Sequence, residues 1–166
     1  IELRIEQQTQ AAPPGASKVL AVFVDQAHAG TFFLAETLRP GTQALLQLFQ
    51  KKGCQLNILT GDPSPQWPDL AGVPVEAGLS PQAKADRVAQ WVAAGETVVF
   101  IGDGTNDAGA MSLATASIAM PGASPLAQSV ASAVLTHERI EPLLEAHSLA
   151  QATYRKVHRS IAFALV

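Results

Sequence analysis

Thr97-Val98-Val99-Phe100-Ile101-Gly102-Asp103-Gly104-Thr105-Asn106-Asp107 is the stretch that decides how this chain folds. Its first five residues carry no polar alternation, which predicts a strand buried on both faces, as in a parallel sheet. The run then stops in a turn holding two carboxylates and an amide. In open α/β sheets, ligands gather beyond the carboxyl ends of the strands, so this turn is the first place to look for chemistry. Downstream, the pattern predicts a helix from Ala108 to about Ala114, a strand over 117–120, a further helix and strand to Leu135, and a long helix after Glu138. Upstream, Ser80-Pro81 reads as an N-cap followed by a first-turn proline. The helix it opens carries Ala83, Val88, Trp91 and Val92 inward and ends at Gly95. A short strand is expected near 73–75 and a loose proline-rich stretch over 63–68. Before these, the buried strand 55–59 runs into Thr60-Gly61-Asp62. Pro40-Gly41 opens a helix with Ala44, Leu45, Leu48 and Phe49 on one face, and Gly53 ends it. The apolar runs 18–24 and 31–35 read as a hairpin. Residues 1–5 alternate like a strand, and 11–15 read as a loop. Strands alternating with helices predict an α/β fold with a doubly wound, Rossmann-like, mainly parallel sheet.

Composition sets the outer bounds. The chain has 166 residues, 48% hydrophobic and 15% charged, enough apolar surface for one compact domain and too much for a disordered one. A net charge of -3 removes the electrostatic case for nucleic acid. The single cysteine, Cys54, excludes a disulfide framework and is expected in the core. His28, His137, His147 and His158 show no ligand spacing, and Trp67 between prolines reads as a packed loop residue. Residues 1–10 lack the hydrophobic core of a signal peptide. No stretch reaches the ~20 apolar residues that span a bilayer. Even so, Arg155, Lys156, His158 and Arg159 precede the apolar run 160–166. A membrane helix begins this way on its cytoplasmic side, and so does an ordinary amphipathic helix.

Three constellations bear on chemistry. Asp103, Asn106 and Asp107 supply hard oxygen donors suited to Mg²⁺, and the flanking glycines are expected to let the backbone turn sharply. The bland alternative is a solvated Asp/Asn/Gly loop. Thr60-Gly61-Asp62 offers a hydroxyl and a backbone N–H for a phosphoryl oxygen; alone it would pass for a turn. Lys84, one turn into its helix, could present an ammonium to the same phosphoryl group or be a plain surface charge.

Taken together and in this order, the three resemble the haloacid dehalogenase superfamily, with Thr60 as its hydroxyl motif, Lys84 as its lysine motif and Asp103 with Asp107 as its acidic motif. The strings Thr60-Gly61-Asp62, Leu79-Ser80-Pro81-Gln82-Ala83-Lys84 and Gly102 to Ala108 further resemble the phosphorylation domain of P-type ATPases, whose acidic motif reads G-D-G-x-N-D. Leu34 to Pro40 is similar to that family's "D-x-L-R-P" stretch, and Ala116 to Met120 to its "V-G-I-A-M" strand. Arg155 to Val166 is similar to the run-in to its next transmembrane helix. The likeness covers about Lys18 onward and is closest to the heavy-metal, copper-transporting branch.

This resemblance implies a cytoplasmic catalytic segment that couples ATP hydrolysis, through an aspartyl-phosphate, to metal export. It implies Mg²⁺ held by Asp103 and Asp107, and Asn106 orienting the phosphoryl site. Lys84 would neutralise charge there, while Thr60, Gly61 and Asp62 bind phosphoryl oxygens. It implies ATP and a transition-metal ion as ligands of the full protein. The other partners would be the upstream part of the same ATPase and the membrane through flanking helices. The location would be the cytoplasmic face of the bacterial inner membrane. Domain limits follow: 1–17 as the end of a nucleotide-binding region and its linker, 18–150 as phosphorylation-domain segment, 151–166 as exit helix. The transported ion is not legible, because selectivity would reside in membrane helices.

Departures are few. The family's phosphorylated aspartate lies in D-K-T-G-T, and no such string occurs in these residues. The strand bearing it is central in that family's sheet, so a gap or an exposed edge is expected beside strands 55–59 and 97–101. Gly109 stands where a proline is usual, Thr115 where an acid is usual, and Pro121-Gly122 replaces a glycine-rich turn; these read as drift. Two competing readings remain: a stand-alone phosphatase with Asp25 as nucleophile, and a non-enzymatic module that keeps the Mg²⁺ loop without chemistry.

Overall fold

The computed structural model describes residues 1–8, 18–65, 67, 70, 72–137 and 139–164. The expected loop at 11–15 lies outside them. The chain forms two compact units, one of Ile1–Leu38 with Ser64–Leu70 and one of Arg39–Pro63 with Ala71–Val166.

The first unit is a three-stranded antiparallel sheet of β1 (Leu3–Gln8), β2 (Lys18–Val24) and β3 (Ala27–Leu34), in that spatial order. The expected hairpin is β2–β3. Its tip, Asp25-Gln26, has φ of 47° and 67° at the two positions, the left-handed geometry that suits the strand twist in a two-residue turn. The Asp25 carboxylate accepts the Glu2 N–H at 2.8 Å and so ties β1 to the tip. On the opposite end, Glu36 pairs with Lys18 at 2.7 Å and accepts the Trp67 indole N–H. This places Trp67 as a packed loop residue, as its neighbours in sequence suggested.

The second unit carries the parallel strands. After α1 (Thr42–Lys51), β4 (Ile58–Leu59) pairs in parallel with β5 (Val75–Glu76). Helix α2 (Pro81–Ala93) leads to β6 (Val99–Gly102), which ends in a 3-10 turn at Thr105–Asp107. Helix α3 (Ala108–Leu113), β7 (Ala116–Ala119), α4 (Pro125–Val130), β8 (Ala133–Val134) and α5 (Pro142–Ala164) follow. Strands β6, β7 and β8 form a parallel sheet in that order.

Helices cover both faces of it, and β7 shows how. Ala119 packs with Met111 of α3 and with Ala123 and Ala127 at α4. Its neighbour Ile118, on the other face because strand side chains alternate, packs against Leu45 of α1 and Leu143 of α5. That is the doubly wound arrangement expected. The alanines have a purpose here: Ala110, Ala119 and Ala127 are wholly buried, and small side chains let helix and sheet approach closely.

Three expectations need correction. The strand predicted over 55–59 is only Ile58–Leu59, and the one over 97–101 begins at Val99. Val99 and Ile101 are 55% and 42% exposed rather than buried. Cys54 is exposed, not a core residue. One cause explains all three: β4 and β6 share no hydrogen-bonded ladder, and a cleft of about 710 Å³ opens there, lined among others by Leu45, Phe49, Cys54, Trp91, Val99 and Ile101. The expected gap is present. A periodicity argument presumes that every strand has two neighbours, and here each of these strands has one.

Helix α5 starts packed against α1 through Leu143 and leaves the core. Every residue from Ser148 to Phe163 is exposed. Among the described residues no helix is long and apolar enough to cross a membrane.

Candidate active site

Chain geometry at the ends of β4 and α2 is set by backbone hydrogen bonds. Thr60 N–H donates to the Glu76 carbonyl, extending the β4–β5 ladder by one residue, and Leu79 N–H donates to the Thr60 carbonyl. Gly78 N–H likewise donates to the Asp62 carbonyl. The Thr60-Gly61-Asp62 turn is therefore stitched to the segment that opens α2. Within the turn, the Asp62 N–H donates to Thr60 Oγ1 at 3.1 Å. This leaves the Thr60 hydroxyl proton available to an outside acceptor.

Helix α2 begins as its sequence requires. Ser80 Oγ accepts the Ala83 N–H at 3.1 Å, with Pro81 in the first turn. A bidentate contact from Arg87 to one oxygen of Glu76, at 2.9 and 2.7 Å, then fixes α2 to the β4–β5 ribbon. Lys84, on the first turn, thereby acquires a defined direction.

Its ammonium reaches Asp107, Nζ to Oδ1 at 2.8 Å, with both side chains only 12% exposed. The second oxygen of Asp107 lies 3.4 Å from the Gly104 N–H. Gly102 makes this possible: a Cβ there would sit 3.0 Å from Asp107 Oδ2 and 2.9 Å from Phe100 Cε1. Neither Gly102 nor Gly104 has a positive φ, so the expectation that these glycines serve a sharp turn is corrected for both. Gly102 serves close approach.

Asp103 and Asn106 are exposed in the same loop. The Asp103 carbonyl accepts the Ser124 N–H at 3.1 Å, and the Gly102 carbonyl accepts the Met120 N–H at 2.9 Å. The loop after β7 thus braces the acidic turn. The structure brings Lys84, Asp103, Asn106 and Asp107 to one edge, and it fixes Thr60 to the start of the helix that bears Lys84. The spacing did not announce that Lys84 and Asp107 pair directly, nor that Ser124 supports Asp103.

Magnesium suits this donor set. Its usual protein contribution is one or two carboxylates, with phosphate and water completing the shell. Asp103 offers an exposed carboxylate, and Asp107 packs against Gly102, the residue that precedes Asp103. Among the described residues no group of three or more His, Cys, Asp or Glu could make an all-protein cage.

Asp25 has none of these features. It sits at the tip of an antiparallel hairpin, its carboxylate engaged by a backbone N–H, not at the carboxyl end of a parallel strand.

Residues 3–115 match the profile of a haloacid dehalogenase-like hydrolase family, and residues 85–146 match a second profile of the same description. The chain belongs to the haloacid dehalogenase-like hydrolases. It is 30% identical over 154 residues to a "Probable cation-transporting ATPase" of Haemophilus influenzae, covering 90% of this chain and 21% of that protein. It is 28% identical over 169 residues to the "Probable copper-transporting ATPase SynA" of Synechococcus, covering 97% of this chain and 21% of that one. Among solved structures, a zinc-transporting PIB-type ATPase in its E2.Pi state superposes with a TM-score of 0.73 at 28% identity, over 98% of this chain and 29% of that one. This haloacid dehalogenase-like chain therefore spans about a fifth of the length of the curated relatives it matches.

Proposed function

We propose that this chain is the downstream part of the phosphorylation domain of a transition-metal-transporting P-type ATPase, with copper the cargo expected from the sequence. In the whole protein, ATP would phosphorylate an aspartate carried upstream, and turnover of that aspartyl-phosphate would drive ion export. The observation that carries this reading is the cleft between β4 and β6. Two parallel strands with unpaired facing edges, polar turns at their carboxyl ends and apolar walls between them call for one more strand. A strand seated there would end between Thr60 and Asp103, where a nucleophilic carboxylate belongs.

The roles follow from the contacts. Asp103 and Asp107 would hold Mg²⁺, Asp107 while also pairing with Lys84. When bound, the metal would neutralise charge on the phosphoryl oxygens. Lys84 supplies a positive charge aimed from the first turn of α2. Thr60 donates its hydroxyl proton to a phosphoryl oxygen, with Gly61 leaving space and Asp62 closing the turn. Asn106 orients the phosphoryl site from the acidic loop. Because β1, β2 and β3 form one sheet within the unit of Ile1–Leu38, residues 1–38 rather than 1–17 would close a nucleotide-binding region, 39–150 would be phosphorylation domain, and 151–166 would lead toward the membrane. The chain would then lie on the cytoplasmic face of the membrane.

The similarity to ion-transporting ATPases along nearly the whole chain favours this reading over a stand-alone phosphatase. The test is direct. Alone, the chain should neither hydrolyse p-nitrophenyl phosphate nor take up label from ATP. Joined to its upstream segment, it should form a hydroxylamine-sensitive phosphoenzyme that Asp103→Asn and Lys84→Ala abolish. Phosphatase activity of the chain alone, lost in Asp25→Asn, would overturn the proposal.

A further inference from the structure

Glu76 is the last residue of β5, and its backbone and side chain serve different elements. Its carbonyl accepts the Thr60 N–H at 2.9 Å. Its carboxylate accepts Nε–H and Nη2–H of Arg87 on one oxygen, at 2.9 and 2.7 Å. Arg87 stands three residues beyond Lys84 on α2, so the two side chains leave the same face of the helix. The guanidinium is confined by its own helix as well: its carbon lies 5.9 Å from the centre of the Trp91 ring, and Nη1 lies 3.4 Å from Gln90 Oε1. One residue thus joins the strand end that carries the Thr60 hydroxyl to the helix face that carries the Lys84 ammonium. With side chains 42% and 28% exposed, Arg87 and Glu76 form a pair too well hydrated to add much stability. Its worth is directional, because two N–H bonds from a rigid fork fix an orientation that a lone ammonium does not.

We propose, resting on the phosphoryl site described above, that Glu76 is a positioning residue for phosphoryl binding. Through Arg87 it sets where Lys84 stands relative to the Thr60 hydroxyl, so that both donors meet oxygens of one phosphoryl group. Two ion pairs then bracket the start of α2. Asp107 ties Lys84 to the acidic turn, and Glu76 ties the next turn of the helix to the Thr60 turn. Truncating the Glu76 side chain leaves its carbonyl bonded to Thr60, so the β4–β5 pairing persists. Lys84 keeps its charge and its Asp107 partner, and only its register with Thr60 is released.

The experiment is binding of orthovanadate, at saturating Mg²⁺, to the chain joined to its upstream segment, followed by vanadium NMR. Orthovanadate offers phosphoryl-like oxygens to Thr60 and Lys84 without a nucleotide, so no turnover is needed. Small displacements of a binding group are costly, about a hundredfold for 1 Å, and Glu76→Ala should raise the vanadate dissociation constant about tenfold. Arg87→Ala approaches the same pair from its other side and should match it. The double variant should be no weaker than either single one, as for residues acting as one unit. Arg87→Lys, which keeps the charge and loses the fork, should recover part of the affinity. Equilibrium ATP binding should be unchanged in all of them. A merely structural role would lower the urea midpoint and leave the vanadate affinity of the folded molecules as it was. Unaltered vanadate affinity in both alanine variants, or effects that multiply in the double variant, would overturn this proposal alone, with the phosphoenzyme still forming. Failure of the unaltered protein to bind vanadate would overturn the phosphoryl site itself and this role with it.

Discussion

Lys84 and Asp107 are a nearly buried ion pair, and such pairs are costly to break from one side. Removing the ammonium alone leaves a carboxylate with little water, at about 3 kcal/mol or more. Lys84→Met should therefore lower the unfolding free energy by about that much, and Lys84→Met/Asp107→Leu should recover most of it. Urea titration with an unchanged slope reads both. If the single and double variants lose equally, the pair does not hold the loop. Gly102 belongs to the same unit, since a methyl there would meet Asp107 and Phe100. Gly102→Ala should cost about 1–3 kcal/mol, and an Asp107→Ala background should soften the penalty. At this scale the sequence disclosed which residues are chemical. It did not disclose their pairing, because residues 23 positions apart meet only once α2 and the acidic turn are placed by everything else.

Helices α2 and α4 open by the same device, a serine whose hydroxyl accepts the backbone N–H three residues on, followed by proline. That was readable for Ser80-Pro81, because capping is local chemistry. Ser80→Ala should cost about 1 kcal/mol, and so should Ser124→Ala, seen as a fall in thermal midpoint. The functional consequences separate them: Ser80→Ala loosens the turn bearing Lys84, whereas Ser124→Ala loosens the loop bracing Asp103. In the reconstituted protein the first should weaken phosphoenzyme formation and the second should raise the Mg²⁺ requirement. The order of elements and the hairpin at β2–β3 were equally legible, since period and turn residues report them. The lengths of β4 and β6 were not. Apolar runs indicate strands wherever they occur, but a ladder also needs a partner, and the partner for these two edges is not among the neighbouring strands.

At the scale of the molecule, the second unit holds two small parallel sheets joined through helices rather than one continuous ladder. Backbone amides therefore report on two separate reservoirs of stability. Those of β7 lie between β6 and β8, with α3 and α1 on its faces. Those of β4 and β5 depend on a two-residue pairing with an open flank. Segments with little cross-pairing open by themselves, at free energies below that of global unfolding. In deuterium exchange, Ile58 and Leu59 should exchange through such partial opening, with weak denaturant dependence, while Ile118 and Ala119 wait for the whole unit to unfold. Filling the cleft should merge the two behaviours, and coalescence of their exchange rates would signal that the domain has become a single cooperative body.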